Sequence, residues 1–151
     1  MKRTMIDIDK CDGCKNCSVA CMQAHRKDEG SVYTLNLRDP ANESRNYILK
    51  DSSGRYVPIF CRHCDEPECV MSCMSGALTK DAETGVVLYD EDACGQCFMC
   101  VMNCPFGVLK PDRATQSKII KCDFCKDDEL GPSCVRMCPT KALRVEEVSA
   151  R

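Results

Sequence analysis

Sixteen cysteines stand in a chain of 151 residues, and their spacing divides them into four groups of four with none left over. The first group, Cys11, Cys14, Cys17 and Cys21, is spaced x2, x2, x3. The third, Cys94, Cys97, Cys100 and Cys104, repeats that spacing and is followed by Pro105. The second, Cys61, Cys64, Cys69 and Cys73, runs x2, x4, x3, and the fourth, Cys122, Cys125, Cys134 and Cys138, runs x2, x8, x3 and is followed by Pro139. Cysteines at this density form disulfides, hold zinc or hold iron–sulfur clusters. Disulfides need an oxidising compartment. No leader-like apolar stretch or twin-arginine pair precedes Cys11, so a cytoplasmic location is expected. Three thiols at intervals of three residues, occurring twice, also suit a shared central ion better than pairwise bonds with their narrow distance window.

A zinc ribbon draws two ligands from each of two separate pairs. Groups one and three instead put three cysteines on one tight loop with a fourth three residues on. That is the pattern of bacterial ferredoxin loops, in which the fourth thiolate ligates the other cluster of a pair. The choice of metal sets the chemistry, since zinc has no accessible second oxidation state and a 4Fe-4S cubane accepts and donates one electron. The loop supplies three corners of a cubane, and the cysteine after x3 is expected at the start of a helical turn aimed at the neighbouring cluster. Pro105 and Pro139 would then occupy a first turn, where a missing N–H costs nothing.

The intervening segments read as strands: Met5 to Ile8 before group one, Val57 to Phe60 before group two, and Ala77 to Thr79 and Val86 to Tyr89 around a polar turn at 80–85. Val108-Leu109 and Ile119-Ile120 flank a polar connection, and Ala142 to Val145 follows group four. Strand, cysteine loop, short helix and strand therefore recur as an internal repeat, which predicts an α+β fold. Composition fits a fold stapled by its cofactors. The 44% apolar fraction counts the cysteines, there is no Trp, and four Phe and four Tyr supply all the large rings. Apolar burial alone would scarcely offset the folding entropy of such a chain. With 21 basic and 23 acidic side chains, and no basic stripe, nucleic-acid binding has no support. No apolar run is long enough to anchor the chain in a membrane. A nucleophile motif, a G-x-G-x-x-G fingerprint and a phosphate loop are all lacking, so a non-catalytic role is expected.

Group two, with its Cys61-Arg62-His63-Cys64-Asp65-Glu66-Pro67-Glu68-Cys69 run, and group four, from Lys121-Cys122-Asp123-Phe124-Cys125 through Cys138-Pro139-Thr140-Lys141-Ala142-Leu143, carry a closer resemblance. The chain resembles the four-cluster electron-transfer subunits of anaerobic oxidoreductases, including the iron–sulfur subunits of dimethyl sulfoxide reductase, formate dehydrogenase and formate-linked hydrogenases, and the partner of carbon monoxide dehydrogenase. That resemblance implies four 4Fe-4S clusters. It also implies ligand exchange between groups one and four and between groups two and three; spacing alone supports exchange without choosing the partners. Cluster A would take Cys11, Cys14, Cys17 and Cys138, and cluster B Cys21, Cys122, Cys125 and Cys134. Cluster C would take Cys61, Cys64, Cys69 and Cys104, and cluster D Cys73, Cys94, Cys97 and Cys100. Residues 56–105 would form a ferredoxin-like unit inserted into an outer one made of 1–55 and 106–151. The implied partners are a large catalytic oxidoreductase subunit and a second redox protein. Chain length favours carbon monoxide dehydrogenase, with formate dehydrogenase, hydrogenase or a molybdopterin oxidoreductase as alternatives. A free polyferredoxin and a zinc-stapled interaction module are the competing classes. Met22 and Met74 stand where the family has proline after the last cysteine.

Other residues draw plainer readings. His63, between two cysteines, is expected to play a structural role, with an N–H toward cluster sulfur, since all sixteen thiols are already assigned. His25 is expected to be a solvated or capping side chain. The methionines beside cysteines are expected to fill apolar space around the cubanes, and Lys126 to Glu129 to be an exposed loop. The cysteine-free stretch 22–56 is expected to form a hairpin over the outer cluster pair and a docking surface for a larger subunit.

Overall fold

An aspartate closes each of three short hairpins. In the computed structural model, which describes residues 1–149, the strands are numbered in chain order, β1 being Lys2–Ile6. Next, β2 (Tyr47–Lys50) pairs antiparallel with β3 (Tyr56–Ile59), β4 (Leu78–Lys80) with β5 (Val87–Tyr89), and β6 (Lys110–Pro111) with β7 (Ile119–Ile120). At the first turn the Asp51 carboxylate accepts the N–H groups of Ser53 and Arg55. At the second Asp81 accepts those of Glu83 and Thr84, and at the third Asp112 accepts those of Thr115, Ser117 and Lys118. A short carboxylate can satisfy turn N–H groups a few residues on, which is why Asp recurs here. The Ser53 hydroxyl and the Arg55 N–H hold Asp51 down at about 2. Burial pushes Asp112 up, but the Thr115 hydroxyl and the loop N–H groups outweigh it and hold this carboxyl at about 2 as well.

The fourth sheet joins the two ends of the chain. β1 pairs antiparallel with β8 (Leu143–Glu147), with Lys2 opposite Glu147 and Ile6 opposite Leu143. Four helices carry the cysteines or sit beside them: α1 (Asn16–His25), α2 (Glu68–Met71), α3 (Met99–Met102) and α4 (Ser133–Arg136). α1 packs on α4, and α2 on α3. The apolar core falls into two clusters. One gathers Cys61, Leu78, Val87, Cys100, Val108, Leu109 and Ile119. The other gathers Cys17, Phe60, Cys134, Cys138, Ala142 and Leu143. Cysteine sulfur takes the place that large aliphatic side chains hold in an ordinary core. No helix among the described residues is long and apolar enough to cross a membrane.

The mixed helix and strand composition agrees with the α+β expectation, and three details differ from the sequence reading. The first strand begins at Lys2 and ends at Ile6, and Ile8–Lys10 form a single 3-10 turn. The Asp7 N–H reaches the Ala142 carbonyl at 2.8 Å, and the chain must then bend to bring Cys11 inward. Val108 and Leu109 are buried, but strand pairing begins only at Lys110. In groups two, three and four the last cysteine follows a one-turn helix and does not start one. Pro105 therefore opens a β-turn, closed by the Gly107 N–H on the Cys104 carbonyl at 3.0 Å. Proline presets φ for the second position of such turns.

Candidate metal centres

The backbone around the cysteines repeats one unusual conformation. The residue two places after the first cysteine of every group has a left-handed φ: Gly13 at 75°, His63 at 45°, Gln96 at 56° and Phe124 at 63°. In the two triple loops a second left-handed residue follows, Lys15 at 61° and Phe98 at 57°. Side chains other than glycine adopt this region at a cost of about 1–2 kcal/mol each, and such strain concentrates where a site demands it. A third recurrence lies three residues after the last cysteine, at Gly76, Gly107 and Lys141, with φ of 70°, 59° and 55°. There the N–H of the left-handed residue bonds back to the cysteine carbonyl.

These loops bring distant thiols together. Cys11, Cys14 and Cys17 line a small void of about 20 Å³ with Cys138, from the other end of the chain. Cys61, Cys64 and Cys69 line one of about 20 Å³ with Cys104. A third, of about 10 Å³, is lined by Cys21, Cys122, Cys125 and Cys134, and Cys61 reaches its wall. Cys100 is pushed up by burial and then by the nearby Cys73 and Cys94 sulfurs, so groups two and three also meet there. Cys97, on the same loop, stands exposed, as does Cys14 in the first. All sixteen cysteines are free thiols.

Burial without a cation raises these thiols. It lifts Cys17 and Cys69 to about 11, and Cys134 to about 12 with the neighbouring Cys21, Cys125 and Cys17 adding to the effect. Metal binding must expel those protons. Cys73 and Cys138 go the other way. Burial pushes both up, but it is outweighed at Cys73 by the Ser75 hydroxyl and the N–H groups of Leu78, Ser75 and Ala77. At Cys138 it is outweighed by the N–H groups of Leu143, Ala142 and Thr140 and the Thr140 hydroxyl. The turn after the last cysteine is thus a cradle for a thiolate.

Two buried polar side chains meet between the second and third voids. His63 is 1% exposed. The Val87 N–H donates to its Nδ1 at 2.9 Å, so the ring carries its proton on Nε2, and that buried N–H finds no partner. Burial and the Lys121 ammonium push this imidazole down to about 3. Lys121, 5% exposed, donates to the Val87 carbonyl at 2.8 Å, the Cys122 carbonyl at 2.7 Å and the Cys61 Sγ at 3.6 Å. Strand alternation at β7 carries it inward, since Ile119 and Lys121 are buried on the same face. Sequence reasoning passed over Lys121, because a lysine beside a cysteine reads as solvated. The alternation Ile119, Ile120, Lys121 was the available signal.

His25 is also more deeply engaged than expected. Its Nδ1–H donates to the Cys21 carbonyl at 2.7 Å and its Nε2 lies 3.1 Å from Asp123 Oδ1. Burial pushes His25 down, but the Asp123 carboxylate outweighs it and lifts the ring to about 10. Arg45 completes the arrangement, 2.6 Å from Asp123 by its guanidinium and donating its backbone N–H to Cys21 Sγ at 3.3 Å. Asn46 reaches the Cys17 carbonyl at 3.4 Å. The 22–56 stretch therefore does cover group one, through β2, β3 and the residues ahead of them. The methionines do not fill the interior as expected. Met74, beside Cys73, is 90% exposed and Met137, beside Cys138, 58%.

Free thiols in fours, left-handed loops around them, an orphaned buried N–H and a buried ammonium aimed at sulfur fit anionic iron–sulfur clusters. Residues 52–148 match the 4Fe-4S dicluster domain family. The chain belongs to that family, as an iron–sulfur electron-transport protein of the oxidoreductase-associated kind. It is 33% identical over 150 residues to YsaA of Escherichia coli (strain K12), covering 98% of this chain and 92% of that protein. It is 36% identical over 145 residues to the thiosulfate reductase electron transfer subunit PhsB of Salmonella typhi, covering 91% and 71%. Among solved structures it superposes on a chain of the active site complex BamBC of benzoyl coenzyme A reductase with 1,5-dienoyl-CoA. The TM-score is 0.54 and the identity 27%, over 99% of this chain and 78% of that one.

Proposed function

We propose that the chain carries four 4Fe-4S clusters in a row and relays single electrons between the catalytic subunit of an oxidoreductase and a second redox protein. The observation that carries this reading is the lining of the three voids, where thiols far apart in sequence converge in fours. On this reading cluster A is held by Cys11, Cys14, Cys17 and Cys138, and B by Cys21, Cys122, Cys125 and Cys134. Cluster C is held by Cys61, Cys64, Cys69 and Cys104, and D by Cys73, Cys94, Cys97 and Cys100. When bound, each cluster takes up and returns one electron. Residue contacts support the order A, B, C, D. Cys134 feels Cys17, joining B to A; Cys61 reaches the wall of the void lined by Cys122, joining C to B; and α2 packs on α3, joining D to C. Cys14 and Cys97, the two exposed cysteines, then mark the outer ends, where electrons enter and leave. Two core clusters and the pairings of α1 with α4 and α2 with α3 support an inner ferredoxin-like unit nested in an outer one.

The catalytic partner is an oxidoreductase subunit in a complex. Carbon monoxide dehydrogenase is the partner the family resemblance put first, and the similarity to PhsB, an electron transfer subunit of thiosulfate reductase, favours a reductase. Anaerobic isolation with iron and sulfide analysis tests the cofactors, with about sixteen of each per chain expected. Far fewer, with no paramagnetic signal after dithionite, would overturn the proposal. The large subunit that co-purifies identifies the partner, and a chain that stays alone at every step of a gentle anaerobic purification counts for a free carrier.

A further inference from the structure

Lys121 presents a charge with no visible answer. A buried ammonium is costly unless it is paired, and among the described residues no carboxylate lies within ion-pair distance of it. The nearest acid in sequence, Asp123, is already bound to His25 and Arg45. What Lys121 does face is sulfur and carbonyl oxygen. It touches Cys61 from group two and the carbonyl of Cys122 from group four, and these two cysteines line adjoining voids. One residue fixes the arrangement, since the Val87 carbonyl accepts from Lys121 while the Val87 N–H donates to His63.

Building on the four-cluster reading, we infer that Lys121 is the counter-charge of the junction between clusters B and C, and that it holds these two inner centres at higher reduction potential than the outer pair. A fixed positive charge stabilises the state with one more electron, and potentials of such clusters follow net charge and hydrogen bonds to sulfur. In each transfer one electron leaves an outer centre, oxidised by one, and reaches the junction, reduced by one. No bond is made or broken in the transfer. It is a positioning residue that acts through the cysteines. Its effect is to keep stored electrons in the middle of the row, away from the solvent-facing ends at Cys14 and Cys97.

The test is an anaerobic redox titration of the whole holoprotein, followed by electron paramagnetic resonance, in wild type, Lys121→Met and Lys121→Arg. With four clusters present by iron content, Lys121→Met is expected to lower one or two of the four midpoints. At least one reduction equilibrium should fall tenfold, which is 59 mV for one electron, while the outer pair keeps its values. Lys121→Arg should restore them. Four full clusters with no such fall, or an equal fall in all four, overturns the inference and leaves the relay reading standing. Iron well short of four clusters in wild type overturns the relay reading and this inference together. Where Lys121→Met fails to assemble, Cys14→Ser and Cys97→Ser decide in its place. Each marks an outer cluster by its altered signal, and the signals so marked must be the lower-potential ones. If they are the highest, Lys121 does not have this role.

Discussion

Replacing Gly13 by alanine should unseat the first cysteine loop far more than the same change at Gly107. Gly13 lies between Cys11 and Cys14 with φ +75°, and a Cβ built there falls 2.5 Å from carbons of the Tyr56 ring. Gly107 has φ +59° and nothing within 4 Å of the added carbon. The left-handed backbone costs an alanine about 1–2 kcal/mol at either place. Forcing a methyl into occupied space adds about 1–3 kcal/mol at Gly13 alone. Tyr56 has little room to yield, since it opens β3 with Lys50 over its ring at 5.6 Å. For a chain of this size 1 kcal/mol moves the melting point by about 2–4 °C, so Gly13→Ala should melt on the order of 10 °C lower and Gly107→Ala about 4 °C lower. An anaerobic thermal ramp monitored by loss of the visible iron–sulfur absorbance reads both, and iron analysis should show the deficit of Gly13→Ala confined to one cluster. Equal losses in the two variants, or a larger one at Gly107, would refute the argument from the Tyr56 contact.

Lys141 holds φ +55° in the turn where Gly76 and Gly107 serve the other groups, so Lys141→Gly should gain about 0.5–1 kcal/mol despite the entropy cost of glycine, measured in the same thermal ramp. Asp112, held down at about 2 by the donors of its loop, contributes stability that is full above its unfolded value of about 4 and is lost as pH falls from there toward 2. The stability gap between wild type and Asp112→Asn should therefore be constant near neutrality and close across that acid window; a gap that widens on acidification would contradict it. His63→Phe keeps a ring against Phe124, which lies 5.6 Å away edge-on, but strands the Val87 N–H. It should destabilise by about 1–3 kcal/mol in chemical denaturation, and no loss at all would mean that Val87 finds another acceptor.

The division of sixteen cysteines into four groups was legible because ligand spacing is local; which distant thiols would share a cluster was not, and that assignment rests on the family resemblance, with the linings of the three voids supporting it. The hairpins were legible for the same reason, with Asp51, Asp81 and Asp112 supplying turn chemistry beside short apolar runs. What escaped reading depends on tertiary context. Left-handed conformations at Lys15, Gln96, Phe98 and Phe124 carry no residue signal, because the site imposes them on side chains that would not choose them. Lys121 became notable only once β5 and β7 placed Val87 between it and His63. The one-turn helices ahead of the last cysteines were misplaced because Pro105 and Pro139 fit a helix start and a β-turn equally well, and the bonds from Gly107 to Cys104 and from Lys141 to Cys138 separate the two.

The pairing of β1 with β8 bears on how the protein is made. A nascent chain emerges from its N-terminus, so Cys11, Cys14 and Cys17 leave the ribosome long before Cys138, which lines the same void. The thiols of groups two and three are all free by Cys104, and that half can be loaded while translation continues. On the proposed ligand assignment the outer half must wait for β8, so the four thiols of group one have to be shielded, or metal delivery postponed, until that strand emerges. A release-arrested chain that stops short of Cys134 should carry iron in its middle and none at its N-terminal loop.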